Sequence, residues 1–479
     1  MTPTRTWAKR ARFTYDVSTS GSAAIPEPDD FLPILTAQHE LTEPIADLAN
    51  RPSESGRPYG RVLTLVRLHT RPIGVALIDL PAAGLSGEEV ALGIWAGLES
   101  AIIGHLAADG LPPIMGLPSH GLTPAVDLPC TAARRRLLAE PPFVSVIIPT
   151  HERPEPLGRC LESLLAMQYP NLEIVIVDNV PDTTRTRDLI ATRYDDRSDI
   201  RYVAEERRAG SAAARNCGLR VIRGELVAFT DDDVIVDRHW LAELLAGFSA
   251  GDHVGCVTGL IMPMELETPA QIWFEEYGGF GKGFERRLYD LGPNRPSSPL
   301  FPYNPGMFGS GNSMAFRVAA LRGVGNFDPG LGNGTPTLGG VDVEAFFRIV
   351  QGGYQLVYEP GALIHHAHRR EYEALRRQVF AYGSGLTALL TKAVARRPAL
   401  LFDLALKAPL GLWMLLGPNN SSSSVDSGLR LRKSSDYPSE LNRHELIGML
   451  YGPLGYVRSV LQTRRPRRPL RREGPEAGR

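Results

Sequence analysis

Three consecutive aspartates, Asp231, Asp232 and Asp233, follow directly on the apolar run LVAF at residues 226–229. Such a run reads as a short buried strand. In open α/β sheets ligands sit just outside the carboxyl ends of strands, so a site is expected here. Neighbouring carboxylates raise one another's pKa unless a cation neutralises them. A hard divalent ion with oxygen ligands, Mg²⁺ or Mn²⁺, would do so and bring a phosphate-bearing substrate with it. The competing reading is a solvated acidic turn that leads into a helix near His239, capped by Asp237.

Two further residues have the right chemistry at strand or helix ends. Asp178 closes the run LEIVIVDN, where a carboxylate can accept from a nucleobase N–H or a ribose hydroxyl, or serve as a turn residue. Arg215, in AARNCGL, can reach a base or a phosphate, or form a surface ion pair.

The elements that would carry these residues alternate. Strands are expected at residues 144–150, 172–179, 200–203 and 226–229, with helices at 156–167, 186–194 and 211–221 between them. That order implies a doubly wound, parallel sheet. A further strand is expected at 254–261, a helix after Asp342 ending at Gly352 and Gly353, strand-like runs at 354–360 and 361–368, and a long helix at 371–392. Residues 269–309 are rich in aromatics, Trp273 among them, which either stack on sugar rings or belong to the core. Ahead of this region, residues 61–80 read as a hairpin turning at 69–72, and Ser86 with Glu89 forms a capping box for a helix that stops at Gly110. Residues 1–58 show little periodicity, and 111–142 read as a proline-rich linker. The division expected is a small α+β unit with linker at 1–140, a catalytic unit at 141–392 and a helical, basic extension at 393–479.

With 479 residues, 43% hydrophobic and 22% charged, the composition is that of an ordinary globular chain. A net charge of −1 argues against a general nucleic-acid binder. Cys130, Cys160, Cys217 and Cys256 are scattered without CxxC spacing, so a disulfide framework is not expected and a reducing cytosol is. The basic N-terminus lacks the apolar segment of a secretory signal. No stretch is expected to span a membrane. Residues 399–416 come nearest, but Asp403 and Lys407 each cost roughly 2.5–3.5 kcal/mol near the bilayer centre. Six arginines between Arg464 and Arg472 lie beyond a serine linker at 419–424. An apolar segment and a basic one together are the two signals of peripheral attachment, here to the inner face of the plasma membrane.

Taken together, VSVIIPTHERPEPLGRCLESLL, EIVIVDN, AARNCGL, AFTDDD, GSGNSMAFR, GGVDVEAFFRI and LVYEPGALIHHAHRR resemble the inverting family 2 glycosyltransferases of the GT-A fold. The resemblance runs collinearly through residues 142–392. It implies a nucleotide-diphospho-sugar transferase-like mixed sheet, a nucleotide-diphosphate sugar donor, a glycan or lipid-linked acceptor, and a divalent metal. It implies that Thr150, Glu152, Asp178 and Arg215 hold the nucleotide, with Asp232 in the donor site. Asp231 and Asp233 match the DxD pair, Asp233 as the direct metal ligand, and His366 and His368 approach the metal or the diphosphate. Asp342 matches the general base, and Trp273, Gly311, Asn312 and Glu344 fall in the donor-sugar and acceptor region. Glycan or cell-envelope polysaccharide synthesis is the implied setting.

The roles are chemically coherent: a divalent ion stabilises a departing diphosphate, and a base removes the acceptor's proton as attack proceeds from the opposite face. Asp342 could instead be a helix N-cap, and His366 and His368, two apart on one strand face, simple hydrogen-bonding residues. One position departs from the family, where an acidic residue commonly precedes the base: here it is Val341. That keeps open a sugar-nucleotide-binding protein on a weakly active or inactive scaffold. A nucleotidyltransferase is disfavoured, since PTHERPEP follows the first strand in place of a glycine-rich basic loop.

Overall fold

The computed structural model describes residues 31–416, 431 and 433–463. The serine linker at 419–424 and the arginines at 464–472 lie outside the described residues.

The first strands, β1 (Ile34–Glu40), β2 (Arg61–Leu68) and β3 (Arg71–Asp79), form a three-stranded sheet in that order. β2 and β3 are the expected hairpin. β1 was not expected; it pairs parallel with β2, a partner that local alternation does not reveal. His69 and Thr70 turn the hairpin with φ of 54° and 68°, a conformation costly for a β-branched residue. The Glu40 carboxylate offsets that cost by accepting from both backbone N–H groups, at 3.0 and 2.8 Å. Helix α1 (Gly87–Ala108) starts at the Ser86–Glu89 capping box and lays Val90, Ile94, Ile102 and Leu106 onto Val66 and Leu68. Contrary to expectation, α1 is long and apolar enough to cross a membrane by length and composition alone. Here it covers the small sheet. Helix α2 (Ala132–Ala139) lies inside the stretch read as linker. Its basic sequence shows no apolar stripe, and Arg134 anchors it by reaching Glu243 at 2.8 Å.

The alternating order then appears as read: β4 (Val144–Thr150), α3 (Pro154–Leu165), β5 (Leu172–Asn179), α4 (Arg185–Arg193), β6 (Ile200–Glu205), α5 (Ser211–Leu219) and β7 (Leu226–Phe229). They are followed by β8 (Val234–Val236), α6 (Trp240–Ala246), β9 (Val254–Pro263), α7 (Pro269–Tyr277), β10 (Arg287–Tyr289), β11 (Met314–Arg317), α8 (Val318–Val324), α9 (Val341–Gln351) and β12 (Gln355–His366). Among the described residues these strands make one mixed sheet in the order β10-β12-β9-β11-β7-β4-β5-β6, with β8 on β12. β7, β4, β5 and β6 are parallel, and β11 runs antiparallel to both β7 and β9.

Alternate side chains of the strands face opposite layers, as the two-residue period requires. Ile147, Val175 and Val177 join α5, α8 and α9 in one core, whereas Val146, Ile148, Ile174 and Ile176 meet α3 and α6 in the other. The two runs expected at 354–360 and 361–368 are one strand, β12, interrupted by a bulge between Glu359 and Leu363. The small sheet docks there through buried ion pairs: Arg71 reaches Glu243 and Glu359, each at 2.6 Å. Arg67 reaches Asp237 at 2.7 Å.

Helices α10 (Tyr372–Arg396), α11 (Leu400–Leu416) and α12 (Glu440–Thr463) complete the described chain. α10 and α12 meet on glycines. A side chain on Gly448 would stand 2.1 Å from Phe380 O, so only glycine permits this approach. α10 in turn supports the start of α9, where Gly340 (φ 89°) lies against the Gly385 backbone.

Candidate active site

The strand order reverses between β4 and β7, which places a crevice beyond their carboxyl ends. The three aspartates stand in that crevice. Asp232 and Asp233 are buried, while the Asp231 side chain keeps 35% of its exposure. Thr150 Oγ1 donates to Asp232 Oδ2 at 2.7 Å. Arg153 Nη1 donates to Asp232 Oδ1 at 2.6 Å and to Asp233 Oδ2 at 3.1 Å. Arg215 Nη2 lies 3.3 Å from Asp231 Oδ1. Two guanidiniums therefore partly neutralise a cluster whose repulsion was expected to call for a cation such as a divalent metal. Arg153 was not singled out from the sequence; Pro154 and Pro156 around it signal only a helix start, and its partners lie some 80 positions away.

Burial pushes Asp232 up to about 7, with Arg153 opposing and the Asp233 charge adding to it. Burial also raises Asp231, helped by the negative charges of Asp233 and Asp342 and opposed by Arg215. Asp233 is held below its ordinary value despite burial, and the charged group that faces it is Arg153, at 3.1 Å. His366 is itself pushed down to about 3, chiefly by burial, which keeps its imidazole neutral.

His366 and His368 converge. Their Nδ1 atoms are 3.0 Å apart, and His366 Nε2 lies 3.5 Å from Asp233 Oδ1. His368 Nε2 is 2.7 Å from Glu275 Oε1 on α7. A hydrogen-bonded chain thus runs from Glu275 through His368 to His366, whose Nε2 faces Asp233 without a hydrogen bond. Glu275 escaped the sequence reading because nothing local pairs it with a histidine 93 residues away.

Asp342 is the second residue of α9, not its cap; the capping position is Gly340. Its Oδ2 accepts from Gly311 N at 2.7 Å, and Gly311 O lies 3.4 Å from Arg215 Nη2. Gly311 and Arg215 so join Asp342 to Asp231. Val341 is buried in the main core, turned away from Asp342's polar contacts.

The other candidates have these surroundings. Asp178 is buried at the end of β5, where Tyr202 OH donates to it at 3.0 Å and burial raises its pKa. Glu152 is engaged by Asp182 N, Thr183 N and Thr183 Oγ1 at 2.6–2.9 Å, so its carboxylate braces the 182–183 loop. Asn312 is buried; its backbone carbonyl accepts from Thr230 Oγ1 at 3.0 Å and its Oδ1 has no hydrogen bond. Trp273 belongs to a core cluster, edge-on to Tyr372. Glu344, two positions from Asp342, takes the other side of α9 and binds Arg348 at 2.6 Å and Lys392 at 2.7 Å. Asp237, expected as a helix cap, lies two residues before the capping position His239, whose N–H it accepts at 2.8 Å.

Residues 145–322 match the family model of Glycosyl transferase family 2. The pre-mycofactocin glycosyltransferase of Mycobacterium tuberculosis is 27% identical over 274 residues, covering 57% of this chain and 52% of that protein. The chain thus spans about half the length of that relative. The glucosyl-dolichyl phosphate glucuronosyltransferase of Haloferax volcanii is 24% identical over 249 residues, 48% of this chain and 72% of that one. Among solved structures, a mannosyltransferase of Pyrobaculum calidifontis in complex with GDP-Man and Mn²⁺ superposes with a TM-score of 0.42 at 19% identity, covering 69% of this chain and 92% of that one.

Proposed function

We propose that the chain is a metal-dependent glycosyltransferase that moves a sugar from a nucleotide-diphosphate donor to an acceptor hydroxyl with inversion. The observation that carries this reading is the meeting of Asp231, Asp233 and His366 with Asp342 at one end of the sheet, joined through Arg215 and Gly311. Asp178, Thr150 and Arg215 lie along the crevice on the side where the nucleotide is assigned. Asp342 would accept the acceptor's proton as its oxygen attacks the anomeric carbon. Its Gly311 contact aims one carboxylate oxygen and leaves the other free for that proton.

Asp231 and Asp233 offer hard oxygens that fit Mg²⁺ or Mn²⁺, and a contribution from the neutral nitrogen of His366 would favour Mn²⁺ over Mg²⁺. When bound, the ion would neutralise charge on the departing diphosphate. Arg153, 37% exposed in its side chain, would turn outward to release Asp233 to the ion. The inactive-scaffold reading rests on Val341, whose side chain is buried in the core, and turnover of a donor decides between the two.

The acceptor is proposed to be lipid-linked and met at the inner face of the membrane. Phe402 and Leu406 on α11 are 79% and 81% exposed, an apolar face beside the catalytic unit. A relative whose name specifies a dolichyl phosphate substrate fits the same reading. Glycan or cell-envelope polysaccharide synthesis follows as the setting. The test is a screen of nucleotide sugars by thermal shift, then hydrolysis or transfer assays with and without Mn²⁺. Metal-dependent turnover of one donor supports the proposal; no stabilisation and no turnover with any donor refutes it.

A further inference from the structure

A second cluster of metal-binding types lies far from the aspartates in sequence, in the small N-terminal unit. His69, His105, Asp109 and Cys130 each offer one ligand atom, and these atoms all lie within 4.8 Å of one another. They come from four separate places: the β2–β3 turn, the last turn of α1, the residue that caps α1, and the short helical turn before α2. Asp109 Oδ2 is 2.9 Å from His69 Nδ1 and 3.2 Å from His105 Nε2. Cys130 N donates to the other oxygen, Oδ1, at 2.9 Å, which aims Oδ2 at the histidines. His105 Nε2 is buried and makes no hydrogen bond. The histidine and aspartate side chains at 69 and 109 are almost wholly enclosed.

We propose that these four residues bind one zinc ion in a structural site of the N-terminal unit. Two imidazoles, a thiolate and a carboxylate form a borderline-soft tetrahedral set, suited to Zn²⁺ and poorly suited to Mg²⁺. In such a site ligand atoms stand roughly 3.2–3.7 Å apart, from Zn–N near 2.0 Å and Zn–S near 2.3 Å. The 2.9 and 3.2 Å separations at Asp109 Oδ2 would open by a few tenths of an ångström, and the widest in the cluster, up to 4.8 Å, would close by about 1 Å. Binding releases the Cys130 proton to solvent, and the thiolate and carboxylate together balance the ion's charge. The ion also satisfies the nitrogen of His105 that the protein alone leaves without a bond.

The site's position gives it a task. The His69 turn leads into Arg71, which holds Glu243 and Glu359. Cys130 leads into α2, whose Arg134 holds Glu243 and donates to Thr70 Oγ1 at 2.8 Å. Zinc would thus tie together the two segments that grip α6, the helix following the aspartates.

The test is the metal content of the full chain, expressed with zinc and dialysed against metal-free buffer. About one zinc per chain is expected, as for other structural sites, unchanged in Asp233→Asn and lost in His105→Ala and Cys130→Ser. Cobalt replacing zinc in the wild-type chain should give a thiolate-to-metal charge-transfer band, so the test survives variants that fail to fold. Zinc lost in Asp233→Asn but kept in Cys130→Ser would place the ion at the aspartates and overturn the proposal. No retained zinc and no cobalt band would overturn it too, leaving a hydrogen-bonded polar cluster only.

Discussion

The backbone N–H of Gly311 donates to Asp342 Oδ2 at 2.7 Å, across 31 positions of sequence. A Cβ at position 311 would lie 2.8 Å from that oxygen and 3.1 Å from Arg215 Nη2. Glycine is therefore required for the carboxylate and the guanidinium to approach the same backbone segment. Asp342→Asn keeps an oxygen able to accept this bond, so folding should change little. Transfer should fall by roughly 10²–10⁴-fold if a general base is lost, with donor affinity unchanged. Steady-state kinetics beside donor titration check this; an equal loss of donor binding would assign Asp342 another task. Gly311→Ala should also lower turnover, by displacing Asp342.

The aspartate cluster makes a separate prediction. Asp233→Asn removes one proposed metal ligand and the partner of both His366 and Arg153. Metal-dependent stabilisation by nucleotide diphosphate and most activity should disappear. Activity that persists undiminished in EDTA would rule out the metal-dependent reading.

Glu445 on α12 predicts a pH dependence of stability. It is buried, and burial pushes it up to about 7, opposed by the Tyr277 hydroxyl and by Lys433. The folded value lies above the ordinary 4.5, so the folded chain keeps a proton that the unfolded chain has lost. The stability it contributes is complete below pH 4.5 and is lost as pH rises to about 7. The full span corresponds to about 3 kcal/mol. Glu445→Gln should flatten the fall of melting temperature between pH 5 and 8. An unchanged slope would show that Glu445 does not titrate in that window.

Membrane attachment is tested on α11. Leu401→Glu, Phe402→Glu and Leu406→Glu together replace exposed apolar side chains without touching the core. They should abolish co-sedimentation with anionic liposomes. Truncation at Lys392 is a poorer test, because it also removes α12 from its glycine contacts with α10. If the wild-type chain stays in the supernatant at low salt, the membrane proposal is wrong.

Periodicity and strand-end chemistry in the sequence were enough to place β4, β5, β6 and β7, to put Asp178 and Asp231 at strand ends, and to mark the Ser86 capping box. Those features depend on neighbours a few residues apart, and apolar alternation records them directly. The resemblance added Asp342 and the two histidines as candidates, and their contacts join them to the same crevice. Tertiary structure alone decided the rest. β1 exists because β2 offers it an edge, and α2 stays in place because Arg134 finds Glu243. The partners of Glu344 and Trp273 were likewise set by the fold, since α9 and α7 turn those faces toward Lys392 and Tyr372. Arg153, Glu275 and the His69–Cys130 cluster became visible only when distant segments met. A side chain's charge is written in the sequence, whereas the identity of the group that answers it depends on how the chain folds back on itself.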